Sequence, residues 1–330
     1  MDHTNRAPDS ATQVLTVTVN PALDVSMTID HLVSDKKIRA HDCQREAGGG
    51  GVNVSRVLRR LKVPSNSFVV VGGPIGSELL ERMLGEGLDV TEFRIAGSTR
   101  ESVAITEAHT GRQYRISVLG PRVDNHELLR SRIIEEAGSA QIVVLSGSLP
   151  PGVPTDFFAQ ICAQLAPGTM TIVDSAGAAL AAAAAGSATI VKPSQRELAE
   201  LVGWEPITAA DIERAAREVL DLGGVGAVVA SRGPSGALVA AREQAPIWFR
   251  PPPVRPVSTV GAGDSMVAGI AASLARGHDL IDATRLGVAA GTATVLTPGT
   301  ELCTPTDVAL FLDEVIVTER PVTSPSASAT

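Results

Sequence analysis

Short runs of β-branched residues alternate with longer segments of helical periodicity along most of this 330-residue chain. The runs predict strands at residues 15–19, 68–71, 142–145, 171–173, 189–191 and 227–229. Most of them are apolar without alternation, which is typical of a mostly parallel sheet that helices cover on both faces. We therefore predict an α/β fold, and in such folds ligands bind beyond the carboxyl ends of the strands.

A second, smaller sheet is predicted where the pattern changes. Residues 102–106 and 114–118 alternate in polarity on either side of Thr110-Gly111, as the strands of a hairpin do. Together with residues ahead of the first glycine cluster, they predict a small β-sheet that stands off the main body. This sheet, formed from about residues 26–46 and 98–119, is expected to serve as a lid, a dimer surface or both.

The remaining chain is predicted to form one folded domain over residues 14–317, with no interdomain linker. Its alanine-rich run at residues 178–185 is predicted to be a buried helix. The two ends, residues 1–13 and 318–330, have a polar composition rich in Pro, Ser and Thr and are predicted to be disordered.

Composition excludes several classes of partner. With 44% hydrophobic residues, 19% charged residues and a net charge of −8, the chain has no basic surplus that would attract nucleic acid or an anionic membrane. No segment approaches the roughly 20 apolar residues of a membrane span, and the polar N-terminus predicts a cytoplasmic protein. Three cysteines without C-x-x-C spacing support neither a disulfide framework nor a zinc site.

A glycine-rich motif near the C-terminus carries a carboxylate. In Gly261-Ala262-Gly263-Asp264 the glycines precede a helical pattern, which places Asp264 in the first turn of the helix. Free backbone N–H groups and the positive end of the helix dipole attract anions there. A carboxylate beside a bound phosphate can take a proton from an attacking hydroxyl, although Asp264 could instead simply cap the helix.

A second glycine cluster, at residues 48–51, precedes another helical pattern. Ordering four glycines costs backbone entropy, which favours the close approach of a ligand over a simple turn. Asn53 can bind a sugar hydroxyl or cap its own helix, and the residues leave both roles open. Residues 146–152 follow a predicted strand directly, and their hydroxyls and amides suit a phosphate. No Walker A sequence and no complete G-x-G-x-x-G occurs, which disfavours P-loop and dinucleotide-binding enzymes.

The two glycine motifs, in this order and separation, resemble the signatures of the ribokinase-like (PfkB) carbohydrate kinases. The resemblance extends from about residue 14 to residue 312 and includes the segments 146–152, 173–175, 191–197 and 231–236. It is strongest to the minor-type bacterial ATP-dependent 6-phosphofructokinases. It implies a ribokinase-like fold, a homodimer formed through the β lid, and Mg²⁺-dependent transfer of the ATP γ-phosphoryl group to the 1-hydroxyl of fructose 6-phosphate.

The resemblance also implies roles for individual residues. The catalytic base would be Asp264, with an anion hole at Gly261, Ala262 and Gly263. The residues that would hold sugar hydroxyls are Asp24, Gly49, Gly50 and Asn53, and those that would hold the phosphate already on the substrate are Lys37, Arg100, Arg115 and Ser148. Nucleotide-binding positions are Lys192, Ser194, Ser231, Gly233, Gly236 and Thr259. Magnesium would be organised by Glu197 and, as a weaker candidate, Asp174.

Three departures from the family pattern bear on function. Ser194 stands where the family's magnesium motif has an asparagine, which alters the metal or nucleotide contact while Glu197 remains. The segment 297–301 differs from relatives at Thr297 and Glu301, which leaves potassium activation open. Asn20-Pro21-Ala22 also resembles 1-phosphofructokinases and tagatose-6-phosphate kinases, so these activities are alternatives. A further alternative is a sugar-phosphate sensor that has lost turnover.

Overall fold

The structure is a computed structural model that describes residues 13–319, so most of both predicted disordered ends lies outside the described residues. The strands are β1 (Val14–Thr18), β2 (Ala22–Ile29), β3 (Asp42–Gly48), β4 (Ser65–Val71), β5 (Asp89–Arg94), β6 (Arg100–Glu107), β7 (Gln113–Ser117), β8 (Ile142–Ser146), β9 (Met170–Asp174), β10 (Ile190–Val191), β11 (Ala227–Ser231), β12 (Ala237–Ala241), β13 (Ile247–Arg250) and β14 (Ile316–Thr318). The α-helices are α1 (Gly50–Arg60), α2 (Gly73–Gly85), α3 (His126–Glu136), α4 (Phe157–Gln164), α5 (Gly177–Ala185), α6 (Gln195–Val202), α7 (Ala209–Asp221), α8 (Ala262–Ala275), α9 (Leu280–Thr294) and α10 (Pro305–Leu312).

A large sheet forms the centre of the fold. Its strands lie in the order β14-β13-β12-β11-β10-β9-β8-β1-β4-β5, parallel from β5 to β11 and antiparallel from β11 to β14. All six strands predicted for this sheet are present. The strands without a prediction are the polar edge strand β5, the alanine-rich β12, and β13 and β14, whose sequences are short or lack a run of β-branched residues.

Helices cover both faces of the large sheet, as predicted. Alternate residues of each central strand point to opposite faces, so that Val143 of β8 packs against α3, α4 and α5 while Val144 packs against α1, α8 and α9. The alanine-rich α5 buries Leu180 and Ala183 in the first of these cores, which confirms the predicted buried helix. Because helices bury both faces of the sheet in apolar cores, a polar ligand can bind only at the ends of the central strands.

The small sheet has the strand order β3-β2-β6-β7. Strands β6 and β7 form the predicted antiparallel hairpin, with Ser102 opposite Ser117, whereas β2 and β6 run parallel. The strands extend beyond the predicted segments, since β2 begins at Ala22 and β3 ends at Gly48. Strand β3 then leads directly into α1, so the first glycine cluster joins the small sheet to the main body.

No helix among residues 13–319 combines the length and the apolar character that crossing a bilayer requires.

A buried arginine fixes the small sheet to the body. The side chain of Arg56 on α1 is 4% exposed and binds two carboxylates, Glu46 of β3 at 3.2 Å and Glu86 after α2 at 2.7 Å. Thr300, in the loop after α9, donates a hydrogen bond to the other oxygen of Glu46. Arg56 and its partner Glu46 therefore link the small sheet, helices α1 and α2 and the loop after α9.

Replacing Arg56 by alanine is expected to lower the free energy of unfolding by roughly 2–4 kcal/mol. Breaking a fully buried ion pair by removing one partner costs about 3–5 kcal/mol, and the partial exposure of Glu46 and Glu86 reduces that figure. Urea unfolding of Arg196→Ala serves as the control, because the pair of Arg196 with Glu200 is exposed and contributes about 0–1 kcal/mol. Equal losses in the two variants would contradict a structural role for Arg56.

Candidate active site

Gly261 begins helix α8 at the edge of the large sheet where the parallel strands end. Its φ of 74° is left-handed, and a Cβ atom there would collide with Leu302, so the turn requires glycine. The following residues, Ala262 and Gly263, present the first free N–H groups of the helix, as the glycine motif predicts. Asp264 lies in the first turn, and α8 ends just before Gly277, which has a φ of 83°.

The carboxylate of Asp264 is held by an asparagine from another glycine-initiated helix. Asn53 of α1 donates from Nδ2 to Oδ2 of Asp264 at 2.8 Å. Burial is the largest of the effects that raise the pKa of Asp264 from 3.8 to about 6; the charges of Asp174 and Asp24 act in the same direction, while the Asn53 hydrogen bond and Lys192 oppose the shift. The result is a carboxylate that is ionised at neutral pH yet more basic than an exposed aspartate.

A lysine and a second carboxylate face Asp264 from neighbouring strands. Lys192, just after β10, is buried and lies 3.0 Å from Asp174 at the end of β9. Burial raises the pKa of Asp174, and Lys192 partly opposes this. Burial lowers the pKa of Lys192, but the charge and hydrogen bond of Asp174 and the charges of Glu197 and Asp264 together raise it above its usual value. The ammonium of Lys192 is also close to Gly263, because a Cβ on that glycine would lie 3.6 Å from Nζ. Lys192 therefore brings positive charge to the start of α8.

Glu197 and Ser194 cap helix α6 with each other. The Glu197 carboxylate accepts from the backbone N–H of Ser194 at 2.8 Å, and the Ser194 hydroxyl accepts from the N–H of Glu197 at 3.3 Å. Glu197 also lines a cavity of about 640 Å³ together with Asp174 and Asp264. Among residues 13–319, no group of three or more His, Cys, Asp and Glu side chains could hold a metal by itself. Two carboxylates completed by substrate phosphates do fit Mg²⁺, which keeps much of its shell in water and phosphate oxygen.

A cavity of about 530 Å³ between the small sheet and the loops of the main body contains Asp24 and Arg115. Burial raises the pKa of Asp24 from 3.8 to about 6, against the lowering effects of Arg115 and of a hydrogen bond with Ser102. Asp24 packs so closely on Gly48 that any side chain there would collide with its carboxylate. Thr259 lines the same cavity, which therefore reaches the glycine motif of α8.

A third cavity, of about 450 Å³, lies on the other side of Thr259. Prolines 251–253, Val288 and Val295 give it apolar walls, and Gly263 borders it. The predicted nucleotide positions Ser231, Gly233, Gly236 and Thr259 all line it. Its size and apolar lining suit a flat heteroaromatic ring, with the start of α8 at one end for phosphates.

The family model for pfkB family carbohydrate kinases matches residues 19–307. The chain belongs to this family. ATP-dependent 6-phosphofructokinase isozyme 2 of Mycobacterium tuberculosis is 40% identical over 306 residues, which are 91% of this chain and 89% of that protein. The isozyme 2 of Escherichia coli is 38% identical over 299 residues, 89% of this chain and 96% of its own length. A 1-phosphofructokinase of Xanthomonas campestris is 36% identical over 291 residues, 86% of this chain and 89% of that protein.

Solved structures of phosphofructokinase-2 from Escherichia coli share the fold. A complex with potassium superposes with a TM-score of 0.86 at 36% identity, and one with fructose-6-phosphate with a TM-score of 0.84 at 34% identity. A tetrameric inhibited form superposes with a TM-score of 0.84 at 35% identity. Each alignment covers 92% of this chain and 99% of the other. The ribokinase-like α/β fold with a separate small sheet is thereby confirmed.

The predicted phosphate-binding residues of this PfkB kinase do not form one cluster. Arg115 lies in the cavity with Asp24, whereas Arg100 donates to Ser117 Oγ at 2.7 Å and to the backbone carbonyl of Asn20 at 3.1 Å. Ser148 lies after β8 and lines the cavity that contains Asp264. Lys37 is exposed in the connection between β2 and β3 and lines none of these three cavities. Gly49 and Gly50 begin α1, and Gly50 also borders Ser146.

Sequence reasoning assigned no role to two residues that contact this site. Ser102 of β6 hydrogen-bonds Asp24, and Asn20 contacts both Ser148 and Arg100. A polar residue on an otherwise apolar strand end was a usable signal for Asn20. No local signal marks Ser102, because its neighbour Asp24 is brought alongside by the parallel pairing of β2 and β6.

The variant Asp264→Asn is expected to be more stable than the wild type at pH 7.5 by about 2–3 kcal/mol. The folded carboxyl has a pKa of about 6 against 3.8 unfolded, so the penalty for ionising it is absent below about pH 4 and complete above about pH 6. Each pKa unit corresponds to about 1.4 kcal/mol, and partial exposure of the side chain favours the lower end. Denaturant unfolding at pH 4.5 should show the difference reduced to about one third, or about 1 kcal/mol; a constant difference would contradict the shifted pKa.

Proposed function

We propose that the protein is an ATP-dependent 6-phosphofructokinase that converts fructose 6-phosphate and ATP to fructose 1,6-bisphosphate and ADP. One observation carries the proposal: the start of α8 lies where three cavities come together. Thr259 lines both the apolar cavity and the cavity of Asp24 and Arg115, Gly263 borders the apolar cavity, and Asp264 lines the cavity that contains Ser148. A nucleotide on one side and a sugar phosphate on the other would meet at this turn, which offers free amides beside a basic carboxylate. The identity to 6-phosphofructokinases supports this choice of substrate.

Asp264 would act as the general base. Because Asn53 occupies Oδ2, the other carboxylate oxygen is left to accept the proton of the 1-hydroxyl. A pKa near 6 suits this task, since the group is ionised at neutral pH and still has an appreciable driving force for proton transfer. The amides at residues 261–263 would stabilise negative charge on the transferring phosphoryl group, and Lys192 would contribute charge beside them.

Asp174 and Glu197 would hold the Mg²⁺ that accompanies ATP, and that ion would offset phosphate charge. We propose no potassium site, although a structure of a relative contains the ion. The hydroxyl of Thr297 lies 2.8 Å from the carbonyl oxygen of Thr294 and 2.6 Å from that of Glu301, and its one proton bonds one of these oxygens at a time.

The small sheet would serve as the lid and as the surface of a homodimer. Ile116 in its edge strand β7 and Val118 just after that strand are each 58% exposed, and exposed apolar residues at a sheet edge favour pairing with another chain. The tetrameric form known for a relative would be a further association of such dimers. The cytoplasmic location stays a prediction, as does the place of the reaction in glycolysis.

Phosphorylation of fructose 1-phosphate or tagatose 6-phosphate is the second candidate activity. It is favoured by the 36% identity to a 1-phosphofructokinase and by Asn20-Pro21-Ala22. A sensor without turnover is less consistent with the site, because Asp264, Lys192 and Glu197 are assembled together and Ser194 supports Glu197 through the helix cap.

Turnover of Mg-ATP with fructose 6-phosphate, fructose 1-phosphate and tagatose 6-phosphate tests the proposal. Fructose 6-phosphate should give the highest kcat/KM, and Asp264→Asn should lower kcat by about 10²–10⁴-fold, the usual contribution of a general base. Asp282→Asn is the matched control, because Asp282 occupies the same first-turn position in α9 away from the site. Binding of fructose 6-phosphate without turnover of any of the three sugars would replace the kinase with the sensor.

The pH profile of kcat/KM should fall on the acid side below about pH 6. Asp264 and Asp24 both have a pKa near 6 in the free protein; Asp264 must be ionised to take the proton of the attacking hydroxyl, and Asp24 must be ionised to accept hydrogen bonds from the sugar through both oxygens. The slope of log kcat/KM should therefore approach two in the wild type and one in Asp24→Asn. Ionisation of the substrate phosphate is common to both enzymes and cancels in this comparison. Equal slopes would exclude Asp24 from the titration.

A further inference from the structure

A buried asparagine lies behind the exposed hydroxyl of Ser148. Asn20, in the connection from β1 to β2, is 5% exposed. Its Nδ2 donates to the backbone carbonyl of Leu119 at 3.0 Å and to Ser148 Oγ at 3.0 Å. Both N–H bonds of the amide are therefore used.

The orientation of this amide is fixed by its surroundings. A carbonyl oxygen can only accept, so the nitrogen of Asn20 has to face Leu119. The oxygen Oδ1 lies against Gly120, where a Cβ atom would collide with it, and has no hydrogen-bond partner among residues 13–319. Turning the amide over would place two oxygens against each other.

This orientation determines the direction of the Ser148 hydroxyl. Because Oγ accepts from Asn20, the hydroxyl proton has to point elsewhere. Ser148 is exposed and makes no other hydrogen bond within the described part of the chain. Its proton is thus available to an acceptor in the cavity that also contains Asp264.

Asn20 also contacts Arg100, a second predicted phosphate-binding residue. Its backbone carbonyl accepts from Arg100 Nη2 at 3.1 Å. Arg100 belongs to β6 of the small sheet, whereas Ser148 follows β8 of the large sheet. One residue therefore joins a hydroxyl and a guanidinium that lie on different sheets.

We propose that Asn20 is a positioning residue for the phosphate already present on the acceptor sugar. Its amide obliges Ser148 to donate its proton outward, so that the hydroxyl meets an anionic oxygen as a donor rather than as an acceptor. This inference rests on the proposed function and identifies a phosphate monoester as the group recognised at this point.

The isosteric variant Asn20→Asp tests the proposal, because a carboxylate accepts from Ser148 and turns its proton inward. The KM and the calorimetric Kd for fructose 6-phosphate should both rise about 10- to 100-fold, the effect of losing one hydrogen bond to a charged group, with kcat nearly unchanged. Ser148→Ala should weaken binding similarly. In the Ser148→Ala background, the neutral change Asn20→Ala should have little further effect, since both changes remove the same contact.

Asn20→Ala is the second variant and should raise KM severalfold. Its control is Asn66→Ala, because Asn66 is also buried, donates from Nδ2 to two side chains and has an Oδ1 without a hydrogen-bond partner in the described part of the chain, but lies on β4 away from the site. A lowered Tm with unchanged KM in both alanine variants would overturn the proposal, as would a full effect of Asn20→Ala in the Ser148→Ala background. Absence of turnover in the wild type would refute the proposed function but not the role of Asn20. The calorimetric Kd values of the variants for fructose 6-phosphate would still test that role.

Discussion

The hydrogen bond from Asn53 to Asp264 connects residues that are 211 positions apart in the chain. It joins the first turns of α1 and α8, which both follow glycine turns and lie on one face of the large sheet. The N-terminus of each helix has free backbone N–H groups, and the hydrogen bond between Asn53 and Asp264 holds the two N-termini together. The sugar-side cavity, the apolar cavity and the buried lysine are all arranged around this contact.

Electrostatics at this point reflect a balance between burial and pairing. Carboxylates gathered at the ends of parallel strands repel one another, and burial raises their pKa further. The ion pair of Asp174 with Lys192 compensates part of this charge, while Asp264 retains only a neutral donor. Asp264 is thus a carboxylate with a raised pKa and no ion-pair partner among residues 13–319, which suits a general base. Keeping these buried carboxylates ionised lowers the free energy of unfolding, which is a common cost of an active site.

Packing between helices makes that arrangement possible. Helices α8 and α9 approach closely at Gly269 and Gly287, where a Cβ on either glycine would collide with the other helix. This close packing fixes the axis of α8 and so the direction of its first turn. On the opposite side of the site, Arg56 and Glu46 hold the small sheet at a defined position relative to α1. The distance between Asp24 and Asp264 is therefore set by contacts outside the cavities themselves.

The sequence by itself determined the α/β class, the six central strands, the hairpin of the small sheet and the two glycine turns. These features depend on local periodicity and on glycines at positions where the backbone conformation favours glycine. Strands such as β5 and β12 were not predictable, since their pairing partners rather than their own residues make them strands. Only the tertiary structure decided that Asn53 holds Asp264, that Asn20 directs Ser148 and that Lys37 lies apart from the cavities. Such contacts depend on how distant segments pack, and no local pattern in one sequence encodes that geometry.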